Sequence, residues 1–479
     1  MNYRMIIYIL GKIMLIGSAV LIPPLAVSFI YGDGCHWAFL IAIAVFLVLG
    51  AAVFFPPKKK ELFAREGLMI VAIAWILFSI VGGLPFFISR EIPSFVDCFF
   101  ETVSGFTTTG STILADVESM SKSLLFWRSF THWIGGMGVL VFAMAIFAQK
   151  DARTTHIMRA EMPGPKIGKL VSKWQFSIRI LYGIYIALTV AEFILLLFGG
   201  MGVYDSLVHT FGTAGTGGFG VKNSSIGYYN SAYIDYVIGI FMILFGIKFN
   251  IYYLLIARKF IQVVRSDELK TYIGIVVTAT VLIAINVTNQ YSNFAEAFRY
   301  SFFQVSSIIT TTGYATADFN MWPVFSQIIL IILMFTGSCA GSTGGGIKIV
   351  RISILVKTAL REIKKTISPK SVVSVKSDGK SLDREAVSGV GAYFIVYMLV
   401  LLLSVLLVSL DKADITTTVT SVIATLNNVG PGLGAVGPTG NFSDFSILSK
   451  LILSLDMLAG RLELYPVLML FTSAAWKKS

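Results

Sequence analysis

Residues 302–313 read FFQVSSIITTTG, and residues 99–110 read FFETVSGFTTTG; the two align without a gap. Each sets a run of hydroxyls and a glycine at the end of an apolar stretch. One copy alone would be read as a loop or a helix terminus. A looser copy, SLVHTFGTAGTG, ends at Gly217, and a fourth, TVTSVIATLNNVG, ends at Gly430. With Gly110 and Gly313, these glycines recur about every hundred residues, the period of a supersecondary unit.

Each copy lies in the same setting. A long apolar span comes first, then a half-length segment of about three helical turns, then the glycine stretch, then another long span. The outer spans fall at 68–89 and 124–149, 176–200 and 232–260, 270–288 and 322–355, and 388–410 and 446–475. Two more, 4–30 and 36–55, precede the first unit. Stretches of this length and apolarity cross bilayers. The composition agrees: 479 residues, 56% hydrophobic and 13% charged, with a mean hydropathy of +0.79. The charged start resembles a signal peptide, but its apolar part is too long and no A-x-A site precedes the next span. The expectation is an all-α integral membrane protein with about ten crossings. It has two N-terminal transmembrane helices (1–60), then four pseudo-repeated helix–pore loop–helix units around a central pore. The units are 61–165, 166–265, 266–370 with an interrupted second helix, and 371–479.

The net charge is +12, and its distribution points to a membrane rather than to nucleic acid. Basic residues cluster between alternate spans: Lys58, Lys59, Lys60 and Arg65; Lys150, Arg153, Arg159, Lys166, Lys169 and Lys173; Arg258, Lys259, Arg265 and Lys270; the run from Lys348 to Arg384; and Lys477 with Lys478. The other connections, around Asp33, Asp97 to Glu118, Asp205, Glu296 to Asp318 and Asp411 to Asp444, are acidic or nearly neutral. This positive-inside pattern puts both termini in the cytoplasm and the four half-length segments on the outer side. Cys35, Cys98 and Cys339 form no disulfide framework. His36, His132, His156 and His209 have no metal-ligand spacing.

Half-length segments at membrane depth survive only when buried in protein or lining water. Four of them around one axis make the walls of an ion filter. A filter replaces a cation's hydration shell with rings of backbone carbonyls, in dihedrals that glycine adopts at low steric cost. Threonine hydroxyls either add oxygen ligands or brace the backbone from behind. Each half-helix turns its C-terminal, negative dipole end toward the axis. Asp97, Glu101 and Asp205 near the outer mouth are expected to add to cation attraction.

The stretches TTTGST, GTGGFG, TTTGYAT and NNVGPGLG resemble those of the bacterial Trk potassium uptake systems' membrane subunit, the TrkH/TrkG type of the Trk/Ktr/HKT superfamily. WRSFTHWIGGMG (127–138), GSTGGGIK (341–348) and GRLELYP (460–466) carry the same resemblance, which covers essentially the whole chain. It implies a potassium-binding selectivity filter built from Thr108, Thr109 and Gly110; Thr216 and Gly217; Thr311, Thr312 and Gly313; and Asn428, Val429 and Gly430. Glycine at all four matched positions implies potassium over sodium. The resemblance also implies a homodimer in the bacterial cytoplasmic (inner) membrane, working with a cytosolic nucleotide-binding regulatory subunit (TrkA-like). Potassium is then the ion bound and carried, with no organic cofactor in this chain.

The span that begins near Trp322 contains GSCAGSTGGG at 337–346. Each glycine weakens a helix by about 1 kcal/mol relative to alanine. Close helix packing through small residues is one reading, and a phosphate loop fails because GxxxxGK[ST] is not matched. The favoured reading is a non-helical loop across the pore. The resemblance makes that loop a gate, comprising Gly341, Ser342, Thr343, Gly344, Gly345, Gly346 and Lys348, with Arg461 in the cavity below the filter. An arginine inside a span costs on the order of 3 kcal/mol on insertion scales; local pairing with Asp456 or Glu463, and snorkelling to the interface, are the alternatives for Arg461. Lys248, also within a span, has no assigned role. The basic segment 356–388, with 150–175, suits anionic lipid headgroups or a cytosolic partner.

Three functions compete. A potassium-conducting pore leads. A secondary transporter (symport with protons or sodium) would need intramembrane carboxylates, for which Asp456, Glu463 and Glu192 are candidates. A membrane enzyme would need a nucleophile, base or metal cluster, and the sequence displays none.

Overall fold

A computed structural model describes residues 2–56, 64–138, 174–371 and 373–477. Its surface is apolar as well as its core, and hydroxyls are buried among the helices. Ser104, Thr107, Thr109, Ser306, Ser307, Thr310, Thr312, Ser421 and Thr425 are buried, whereas Phe198, Ile285, Ile332, Leu399, Leu402 and Leu406 are exposed on the outer faces. Apolar side chains outside and hydroxyls inside suit a lipid surround, where helices satisfy their own backbone and polar side chains find partners within the bundle.

The chain opens with α1 (Tyr3–Val20) and α2 (Ile22–Tyr31), then α3 (His36–Gly50). Helix α3 returns along α1, where Gly17 leaves room for the Phe46 ring and Gly50 for Leu15. Four units of one design follow. The first has α4 (Ala64–Gly82) with α5 (Leu84–Ile88), the half-length α6 (Phe95–Phe106), and α7 (Lys122–Gly136). In the second, α8 (Trp174–Phe198) and the half-length α9 (Val203–Gly215) precede α10 (Ala232–Gly246), α11 (Phe249–Ile256) and the short α12 (Phe260–Val264). The third comprises α13 (Asp267–Val287), the half-length α14 (Phe294–Ile309), α15 (Val324–Thr336) and α16 (Ile349–Ile367). A two-stranded hairpin, β1 (Lys376–Ser377) and β2 (Lys380–Ser381), leads into the fourth: α17 (Arg384–Val408), the half-length α18 (Ile415–Leu426), α19 (Ile447–Arg461), α20 (Tyr465–Leu470) and α21 (Ser473–Trp476).

Side-chain caps start three of the half-length helices. Ser94 accepts from the Asp97 N–H at 3.3 Å, Asn293 from Glu296 at 2.9 Å and Asp414 from Thr417 at 3.0 Å. Such caps satisfy N–H groups that a helix start leaves without partners.

The second outer helices differ from the expectation of continuous spans. The predicted span 232–260 breaks at Ile247–Lys248, where α10 and α11 meet at 90°. The predicted span 446–475 breaks after Arg461, with Glu463 and Leu464 at positive φ. Span 322–355 breaks over 337–348, as expected. Helix α7 ends at Gly136, and the rest of span 124–149 lies outside the described residues. So do Lys58–Lys60, the basic cluster from Lys150 to Lys173, His156 and Lys478. Interruption of the second helix is therefore a recurring feature of the units. Among the described residues six helices are each long and apolar enough to cross a membrane, or seven with the bent pair; the interrupted second spans of the other units are not among the six as single helices.

Candidate functional site

The four half-length helices end in one backbone pattern. Thr108, Thr216, Thr311 and Asn428 take left-handed φ values of 55°, 56°, 59° and 54°. Next, the N–H groups of Thr109, Gly217, Thr312 and Val429 bond back five residues to Ser104, Gly212, Ser307 and Ala424, at 2.8 to 2.9 Å. A glycine at positive φ follows in each: Gly110 (83°), Gly218 (78°), Gly313 (85°) and Gly430 (99°). This corrects the sequence register of the second copy. Gly218, not Gly217, is the counterpart of Gly110; Gly217 matches Thr109.

The four segments close into a ring. A Cβ placed on Gly110 would strike the carbonyl oxygen of Gly217, and one on Gly218 that of Thr312. On Gly313 it would strike the carbonyl of Val429, and on Gly430 it would lie 2.7 Å from that of Thr109. Each wall touches the next, and the fourth returns to the first. Gly110, Gly218, Gly313 and Gly430 all line one open cavity on one face of the ring.

Hydroxyls next to the glycines brace the walls from behind. Thr107 donates to the Val103 carbonyl at 2.6 Å and lies 2.8 Å from the Thr109 hydroxyl. In the third unit Thr310 repeats both contacts, with Ser306 and Thr312, at the same distances. The fourth uses amides instead: Asn427 donates to the Ile423 carbonyl, while Asn428 donates to the Thr109 hydroxyl and the Met457 carbonyl, both at 2.9 Å. The second wall is braced by a residue the sequence reading did not single out. The hydroxyl of buried Tyr314, just after Gly313, lies 3.1 Å from the carbonyl oxygens of both Phe219 and His209. His209 Nε2 is 3.1 Å from the Tyr229 hydroxyl, which donates to Asp205 at 2.7 Å. The available signal was Tyr314 itself, an aromatic hydroxyl in a sequence position held by Ser111, Phe219 and Pro431 in the other copies.

The three acids expected to attract cations are tied to neighbours. Asp97 pairs with Lys450 at 2.7 Å, and Asp205 accepts from Tyr229. Buried Glu101 pairs with buried Arg128 at 2.7 Å and also accepts from the Ile113 N–H at 3.0 Å. Arg128 stacks over the Phe219 ring at 4.0 Å. Asp97 and Glu101 act mainly as struts between elements, because an adjacent counter-charge cancels most of their field; Asp205 has a neutral hydroxyl as its partner and joins α9 to Tyr229.

Below the ring lies a second cavity, lined by Gly136, Gly341, Gly344, Lys348, Arg461 and Glu463 among others. The 337–348 loop presses against the ring here. Gly345 donates its N–H to the Thr311 hydroxyl at 2.6 Å, and Gly346 donates to the Asn427 carbonyl at 3.0 Å. Lys348 Nζ bonds the Gly344 carbonyl. Arg461 donates to the Thr343 carbonyl at 2.7 Å, to Gly136 at 2.9 Å and to Gly135. Glu463, named with Asp456 as an alternative local partner for Arg461, is held by Arg351 at 2.6 and 3.2 Å. Asp456 accepts from Ser404 at 2.7 Å, and Glu192 is buried within α8. Among the described residues, no group of three or more His, Cys, Asp or Glu side chains suits a metal ion.

A family described as "Cation transport protein" (TrkH) matches residues 35–478. The chain is 37% identical to the Trk system potassium uptake protein TrkH of Escherichia coli K12, over all of both chains. It is 32% identical to that organism's TrkG, covering 99% of each. The crystal structure of the potassium transporter TrkH from Vibrio parahaemolyticus superposes with a TM-score of 0.89, at 32% identity and full coverage of both chains.

Proposed function

Because the chain belongs to the TrkH family of cation transport proteins, we propose that it takes up potassium through a filter of four walls. The walls are Thr108–Gly110, Thr216–Gly218, Thr311–Gly313 and Asn428–Gly430. An ion shedding its water meets carbonyl oxygens in place of the hydration shell. The C-terminal ends of α6, α9, α14 and α18 make that position favourable for a cation. The single observation supporting this reading most is the ring contact of each glycine with the carbonyl of the next wall.

The loop from Gly341 to Lys348, with Arg461, is the gate in this reading. It fills the space directly under the filter, and two cationic side chains hold its carbonyls there. A positive charge in the path also raises the barrier to a cation. A cytosolic nucleotide-binding subunit releases the loop, and the chain works as a homodimer. It lies in the bacterial inner membrane with both termini in the cytoplasm, as its basic connections require. Passive conduction is favoured over symport because Glu463, the candidate coupling carboxylate that lines the cavity, is already held by Arg351.

The test is rubidium uptake, with sodium competition, into cells of a bacterium lacking potassium uptake and expressing wild type or Gly313→Ser. Potassium-preferring uptake in wild type and its loss in the variant are expected. An unchanged preference in Gly313→Ser overturns the filter.

A further inference from the structure

The loop below the filter is held at one end by Lys348 and Arg461. Its other end is held by a different set of groups. Cys339 donates its N–H to the Gly246 carbonyl at 3.1 Å, and Phe249 donates to the Gly341 carbonyl at 3.1 Å. Both partners flank the 90° break between α10 and α11. Ala340, between them in sequence, donates its N–H to Glu268 Oε1 at 2.7 Å. The other Glu268 oxygen lies 3.8 Å from Nζ of Lys248, which sits in the same break. Glu268 is only 5% exposed. A buried carboxylate is costly unless its charge and lone pairs are satisfied. Here a backbone N–H of the loop and the ammonium of Lys248 do so.

The residue before it faces the other way. Asp267 accepts from Lys357 of α16 at 3.2 Å, and its N–H donates to Asp378 at 2.9 Å. Asp378 is in the turn between β1 and β2, and Lys357 also donates to the Lys376 carbonyl at 2.9 Å. Two consecutive residues at the first turn of α13 thus join the loop on one side to the hairpin and α16 on the other.

We propose that Glu268 is a positioning residue that latches the loop beneath the filter, and that Asp267 connects this latch to the surface formed by the β1–β2 hairpin and α16. Displacing that surface draws the start of α13 away and loosens the loop at Ala340. This inference rests on reading the loop as a gate, but the latch is measurable separately. Buried Cys339 is the immediate neighbour of Ala340 and reports loosening through its rate of alkylation. Cys35 and Cys98 are also buried, but lie outside the loop, and report general unfolding.

The experiment measures alkylation of each cysteine by mass spectrometry in the full chain in proteoliposomes, beside rubidium flux without added regulator. Glu268→Ala removes the acceptor for Ala340, and Cys339 labelling is expected to rise about tenfold with Cys35 and Cys98 unchanged. Glu268→Gln keeps an acceptor oxygen but loses the charge, and should give a smaller rise. If Glu268→Ala does not fold, Glu268→Gln and Lys248→Met carry the test. Asp378→Ala should also raise Cys339 labelling; no rise there would remove the link to the hairpin. Unchanged Cys339 labelling in the Glu268 variants overturns the latch, as does an equal rise at all three cysteines. Faster Cys339 labelling with unchanged flux keeps the latch and removes the gate reading instead.

Discussion

Arg461, at the end of α19, donates to the carbonyl of Thr343 in the loop while reaching the carbonyls of Gly135 and Gly136 at the end of α7. One guanidinium thus ties three units together below the filter. Only a planar, multiply donating cation does this, since an ammonium has no fork to spread across separated carbonyls. Arg461→Gln is expected to raise regulator-free rubidium flux by about tenfold, equivalent to about 1.4 kcal/mol off the barrier. Arg461→Lys should fall between the two. Flux equal to wild type in both variants would exclude Arg461 from the gate.

Register within the second wall is testable at adjacent glycines. A Cβ on Gly218 would strike the Thr312 carbonyl of the next wall, whereas one on Gly217 would meet the His132 ring behind the filter. Gly218→Ala should therefore lower the potassium-to-sodium preference by about tenfold, the same outcome expected of substitutions at Gly110 and Gly313. Gly217→Ala should mainly reduce the amount of folded protein. Competition uptake, normalised to protein in the membrane, separates the two effects.

Tyr314→Phe keeps the ring and removes the hydroxyl that meets the Phe219 and His209 carbonyls. Loss of one buried hydrogen bond costs on the order of 1 kcal/mol, so the fold should persist with a slightly lower melting temperature. Its effect on selectivity should be larger than that modest cost suggests, because Phe219 directly follows Gly218. Reversal potentials in mixed potassium and sodium give the ratio. Gly212→Ala, whose Cβ would press on the same hydroxyl, should shift it the same way.

Arg128 and Glu101 form a buried pair beside the first wall. Arg128→Leu alone leaves a buried carboxylate without its counter-charge, a loss of about 3–5 kcal/mol. Arg128→Leu with Glu101→Leu should recover much of it. Melting in detergent, followed by monodispersity, reads both.

The repeat was legible because glycine at positive φ and hydroxyls behind it are residue-type requirements, visible at Thr108–Gly110 and Thr311–Gly313 without any contact information. In the second copy, Gly217 and Gly218 are adjacent, so a gap-free comparison accepts either; the positive φ of Gly218 and the five-residue return bond from Gly217 to Gly212 decide between them. The break at Ile247–Lys248 has a single glycine beside it, Gly246, too weak a signal to predict a 90° turn, and is held by contacts to the loop from Cys339 to Thr343. Pairings such as Asp97 with Lys450 join the first unit to the fourth, and no local pattern encodes them. What sequence spacing conveyed was the backbone of each wall; what it withheld was the cross-chain bonding between walls.

The four walls are unequal: threonines brace two of them, Tyr314 props the second, and Asn427 with Asn428 serve the fourth. All are encoded in one polypeptide. In an assembly of four identical copies, any substitution would strike every quadrant at once. Here a single codon changes one wall and, through its contact, the wall beside it, so in the proposed filter ion preference shifts by part of the ring at a time rather than all at once.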